Sequence, residues 1–121
     1  MAKPAVGVQM YTVRDLAEKD FIGTLGDMAR IGYAGVELAG TFGLSARELK
    51  RTLAELGLRS AGAHVGIEHF EQHFNETVDY YTEAGIDTLL IPWWPEDRRK
   101  SRDGWLAAGR LFGQLTVKLK P

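Results

Sequence analysis

The chain has 121 residues, a formal net charge of −1 and no cysteine. With 45% hydrophobic and 26% charged residues it reads as one globular domain rather than a disordered chain. The near-neutral balance argues against a general nucleic-acid binder, and the lack of cysteine excludes disulfides and thiolate metal sites.

The start, Met1-Ala2-Lys3-Pro4-Ala5, leads into only a short apolar run, so no secretory signal is expected. The longest apolar runs fall short of the roughly 20 residues of a membrane span, so no membrane partner is expected and a cytoplasmic protein is.

Short β-like runs alternate with longer helical periods. Val6 to Tyr11 is the first run, with Val6, Val8 and Met10 on one face and Gly7, Gln9 and Tyr11 on the other. A helix should open at Asp20, a good N-cap, carry Phe21, Leu25 and Met28 inward, and end at Gly32. Tyr33 to Leu38 is the second run. Ser45 and Glu48 have capping-box spacing, Leu49, Leu53 and Leu56 form the next stripe, and Gly57 ends it. Leu58 to Val65 is the third run, closing on His64. One helix then carries Phe70, Phe74, Val78 and Tyr81 and stops at Gly85. Asp87 to Ile91 is the fourth run, halted by Pro92. A last helix opens near Asp103, with Trp105, Ala108, Phe112, Leu115 and Leu119 as its apolar series.

The glycines at 32, 57 and 85 mark a repeat of roughly 25–30 residues, the size of one strand, one helix and two short loops. Four consecutive βα units imply an α/β fold with parallel strands. An open doubly wound sheet and half of a (β/α)8 barrel both satisfy this pattern. The doubly wound form is disfavoured, because the turn after the first run, Tyr11-Thr12-Val13-Arg14-Asp15, has no glycine to admit a phosphate. Gln9, Glu37 and His64 each fall late in a strand, where barrel side chains line the active-site mouth.

Three segments, Val6 to Asp15, Ile31 to Leu38, and Gly57-Leu58 with Ser60 to Val65, together resemble the sugar phosphate isomerase/epimerase family. That family has a xylose-isomerase-like TIM barrel, and the resemblance runs over nearly the whole chain, as the N-terminal half of such a barrel. It implies a small sugar or sugar phosphate as substrate. It also implies a divalent metal (Mn, Mg, Co or Zn) in the complete barrel, polarising a carbonyl while a carboxylate moves the neighbouring proton through an enediolate. In the family the metal ligands and paired glutamates come from strands five to eight. No catalytic residue or metal ligand is therefore carried over here, and residues 1–121 alone are expected to be inactive and to bind no metal of their own.

What carries over is the substrate cup: Gln9, Tyr11, Glu37, His64, Trp93 and Trp94. Each also has a plainer role. Gln9 and Tyr11 either bond substrate or satisfy backbone at the rim. Glu37 either faces the cup or sits in solvent. His64 either touches substrate, ligates metal as in the zinc endonuclease branch, or is a rim histidine. The fourth-strand segment Ile91-Pro92-Trp93-Trp94-Pro95 has no histidine, which disfavours the zinc branch. One tryptophan suits a sugar's C–H face; either can instead pack over the helices. Arg14 is expected to be a solvated loop arginine, the run Arg98, Arg99, Lys100 and Arg102 a solvated loop, and His69/His73, at i and i+4 on a helix, a surface pair. The alternative to an enzyme half is a non-catalytic sugar-binding or self-assembling module. An arc of four strands exposes two parallel edges, so a homodimer or higher oligomer is expected, with strand four of each copy beside strand one of the other.

Overall fold

The computed structural model describes residues 2–120; Met1 and Pro121, the ends of the single expected domain, lie outside them. The strands are β1 (Gly7–Gln9), β2 (Gly35–Leu38), β3 (Arg59–His64) and β4 (Leu89–Leu90). The helices are α1 (Arg14–Ala17), α2 (Phe21–Ile31), α3 (Ala46–Glu55), α4 (Ile67–Gln72), α5 (Phe74–Glu83) and α6 (Arg102–Lys118), with 3-10 turns at Met10–Val13 and Glu96–Arg99. All four strands are parallel in the order β1-β2-β3-β4. A doubly wound sheet reverses its strand order at a switch point; this one runs straight through, as a barrel wall does.

Local chemistry sets the helix ends. Asp20 Oδ1 accepts from the Gly23 amide at 2.9 Å, and Gly32 takes a left-handed φ of 109° that closes α2. Gly57 and Gly85 close α3 and α5 in the same way. At α3 the capping box forms in full: Ser45 Oγ accepts from the Glu48 amide, and Glu48 Oε2 accepts from the Ser45 amide at 2.8 Å.

The hydrogen bonds from Ser45 hold the Glu48 carboxyl below its ordinary value of 4.5. A lowered folded-state value stabilises above the unfolded value and is lost as pH falls through the folded one. Melting followed by circular dichroism should therefore show a Tm that falls on acidification below pH about 4.5, and Ser45→Ala should flatten that part of the profile.

The core lies between the sheet and the helices. Met10, Leu25, Val36, Leu38 and Leu49 are fully buried there, and a second cluster of Val65, Ile67, Phe70 and Leu115 sits under α6. In parallel register, Val8 pairs with Val36 and Leu38 with Ala63, so these residues share the helix-facing side. Gln9 and Glu37, also paired, share the opposite face.

Four local expectations are corrected. The first strand ends at Gln9, and Met10–Val13 curls into a 3-10 turn, so strand parity does not govern Tyr11. The single helix through Phe70 and Phe74 is two, broken at His73 (φ −136°, ψ 43°), so His69 and His73 straddle the break. The fourth strand pairs only at Leu89–Leu90. In α6, capped by Ser101, Ala108 and Leu115 are buried but Trp105 and Leu119 are exposed, and Phe112 stays partly exposed with the Trp94 ring against it.

Candidate functional site

Three strands bring one polar cluster together at their C-terminal ends. Glu37 sits in the centre. Gln9 Nε2 donates to Glu37 Oε1 at 2.7 Å from β1, and His64 Nε2 lies 2.8 Å from the same oxygen from β3. The Glu37 and His64 side chains are about three-quarters to four-fifths buried, at 24% and 18% exposure. Burial of a polar pair is tolerated when its members bond each other. A carboxylate oxygen accepts, so the imidazole donates to it through Nε2–H, and in the neutral ring Nδ1 is then an acceptor. Both bonds fall on Oε1, and neither uses Oε2.

A β-bulge makes this cluster possible. Val36 pairs with Ser60, but the next residue, Glu37, pairs with Gly62, so Ala61 is the extra residue. Unbroken alternation from Ser60 would turn His64 to the helix side. The inserted residue reverses that parity and puts His64 on the face of Glu37. Gly62 sits in the bulge at φ 140°, and its amide donates to Ser60 Oγ at 3.2 Å.

The cluster opens into a cleft of about 640 Å³ lined by Gln9, Tyr11, Ala39, His64, Pro92 and Trp93. Tyr11 is exposed at its rim, with the Arg14 guanidinium 4.3 Å from its ring centre. Arg14 also donates to the Tyr11 carbonyl at 2.9 Å, which ties it to its own turn. Trp93 presents a largely exposed indole, and Arg99 stacks over it at 4.6 Å. Trp94 lies elsewhere: its ring packs on Phe112 of α6 at 5.4 Å, on the second core cluster. Four of the six expected cup residues thus line the cleft, Glu37 is bonded to two of them, Gln9 and His64, and Trp94 belongs to the helix layer.

Of the basic run, Arg99 reaches the cleft through its stacking on Trp93, and Arg98 and Lys100 are engaged elsewhere. Arg98 grips Glu71 with two bonds of 2.8 and 3.2 Å, which raises its already high pKa, and Lys100 lies 3.4 Å from Glu96. A second groove of about 480 Å³ runs outside the mouth, where His64, His69, His73, Glu76, Tyr80 and Tyr81 gather. In the sequence His69 and His73 show only as a surface pair, because Gly40, Thr41, His64 and the two tyrosines join them only through the fold. Burial raises the pKa values of both tyrosines, so they stay neutral hydroxyls in ordinary buffers.

Among the described residues no group of three or more His, Asp or Glu side chains is placed to hold a metal ion. Glu37 and His64 supply two donors, with Oε1 and Nε2 engaged to each other. Two donors do not complete a four-coordinate sphere. This set does not by itself fit a divalent metal. No helix of the described residues is long and apolar enough to cross a membrane.

No family model and no curated protein matches the chain. Among solved structures it is similar to a sugar phosphate isomerase/epimerase from Parabacteroides distasonis ATCC 8503. The TM-score is 0.76 at 19% identity, over 98% of this chain and 49% of that one. The fold is α/β, four parallel strands with helices between them, matching half of a TIM barrel. The chain spans about half the length of that neighbour.

Proposed function

We propose that this chain forms part of the substrate mouth of a sugar or sugar-phosphate isomerase/epimerase. The observation that carries the reading is the single carboxylate oxygen of Glu37 held by side chains from two other strands, at the end of the sheet where barrels bind their substrates. Such a group is oriented before substrate arrives. Glu37 Oε2 and His64 Nδ1 would accept from neighbouring sugar hydroxyls, Gln9 and Tyr11 would bond further ones, and the Trp93 indole would cover a C–H face. A carboxylate–imidazole pair 2.8 Å apart can also take up a hydroxyl proton at either member. The resemblance of the sequence segments and the fold of the isomerase/epimerase neighbour support the same reading. A divalent metal, the enediolate step and a reducing cytoplasmic setting belong to the proposal for the whole barrel. Residues 1–121 are expected to bind without turnover.

Titration of the labelled chain with fructose, xylulose and ribulose 5-phosphate tests this. The Trp93 indole N–H resonance should shift saturably, and those of Trp94 and Trp105 should not. Trp93→Ala should weaken the affinity about 5- to 10-fold, as expected for loss of one aromatic face worth about 1 kcal/mol. No saturable shift with any of the three sugars would overturn the reading. Isomerisation of any of them by the isolated chain with Mn²⁺ would refute the expected lack of turnover.

A further inference from the structure

Both ends of the four-stranded arc are unfinished. β1 pairs only with β2 and β4 only with β3 among the described residues, so each outer strand presents free N–H and C=O groups. Apolar side chains stand exposed beside both edges. At the β4 end the α6 stripe is half covered: Ala108 and Leu115 are buried, whereas Trp105, Phe112 and Leu119 remain 55%, 40% and 41% exposed. At the β1 end Val6 is 60% exposed and Ile31 69%. Ile31 lies on the flank of α2 away from Gly26, the position that faces Leu56.

The area involved is large. The chain exposes 8229 Å², while a compact protein of 13.4 kDa presents about 6,500 Å². The excess is about 1,700 Å² per chain. Summed over two chains that is about 3,400 Å², within the range of obligate homodimer interfaces.

We propose that two copies of this chain associate about a two-fold axis, β4 of each pairing with β1 of the other, to close an eight-stranded ring. Because the two free edges differ, a copy cannot satisfy both with like-to-like pairing, whereas a two-fold along the ring axis satisfies all four at once. Two is the closing number because each copy supplies four parallel strands and a barrel has eight. With a net charge of −1 on each, the copies have little mutual repulsion to overcome. Trp105, Phe112 and Leu119 of one copy then lie toward the Val6 and Ile31 end of the other. In that ring a second Gln9, Glu37 and His64 would face the first across the mouth. Association needs no sugar, so it stands or falls separately from the proposed function.

Sedimentation velocity at micromolar concentration should give twice the 13.4 kDa chain mass. Val6→Glu and Trp105→Glu, at opposite ends of the arc, should each raise the dimer dissociation constant more than about 10-fold, as hot-spot disruptions do. Ile22→Glu, equally exposed but on the α2 flank nearer α3, should leave the dimer intact. Circular dichroism confirms that each variant is folded. Hydrogen exchange should show the β1 and β4 amides protected in the dimer and unprotected in Trp105→Glu. A stable monomer, an open-ended polymer, or a dimer with freely exchanging β1 and β4 amides would overturn the proposal.

Discussion

Gly62→Ala is expected to lower the stability of the chain by about 3 kcal/mol, a drop in Tm on the order of 10 °C. Two costs combine. At φ 140° the backbone is in a region that L side chains rarely adopt. A Cβ there would stand 2.8 Å from Leu90 Cδ1 and 3.2 Å from the Thr88 carbonyl oxygen. The leucine can rotate away, but the carbonyl belongs to the chain entering β4. Relief therefore requires the bulge to move, and the bulge holds His64 on the Glu37 side. Proton spectra of the folded variant should show the His64 imidazole resonances displaced. Thermal melts supply the stability change, and Gly113→Ala is the control. A Cβ on Gly113 meets nothing within 4 Å inside α6, so the same substitution there should stabilise by about 0.5–1 kcal/mol. Equal melting shifts of the same sign at both positions would contradict the role given to the bulge.

Glu37→Gln is expected to weaken sugar binding about 10-fold or more with little change in Tm. The side chains are isosteric, so the volume between Gln9 and His64 is kept. The charge is lost, and with it the difference between charge-assisted and neutral hydrogen bonds, about 1–2 kcal/mol. The amide can also donate, so His64 is no longer obliged to present Nε2–H, and its Nδ1 acceptor is no longer guaranteed. Calorimetric titration gives the affinity, and imidazole nitrogen shifts report the tautomer. Glu37→Leu should be worse for stability as well, because it leaves Gln9 Nε2 and the His64 ring without their acceptor. Undiminished affinity in Glu37→Gln would remove Glu37 from the binding role.

Much of the architecture was legible in the residues because local rules agreed with one another. Asp20, Ser45 with Glu48, and the glycines at 32, 57 and 85 mark helix ends by chemistry confined to one turn, and the structure shows those ends. Where the reading failed, the hydrophobic period did not decide the outcome. The helical period through Phe70, Phe74 and Tyr81 is continuous, but the backbone breaks at His73 while both phenylalanines still pack in the second cluster. The α6 series is amphipathic in sequence, yet its outer members stay exposed, because periodicity specifies a face and says nothing of whether anything covers it.

The two tryptophans at 93 and 94 are adjacent and indistinguishable by composition. The chain direction after β4 sends the first into the cleft and the second onto Phe112. By itself, then, the sequence determined the βα repeat, the parallel sheet and the late-strand positions of Gln9, Glu37 and His64, since these follow from period and capping. Only the tertiary structure decided that these three side chains meet. A strand's alternation is local, but its register against a neighbour is not, and one unpaired residue, Ala61, reverses the face of everything after it.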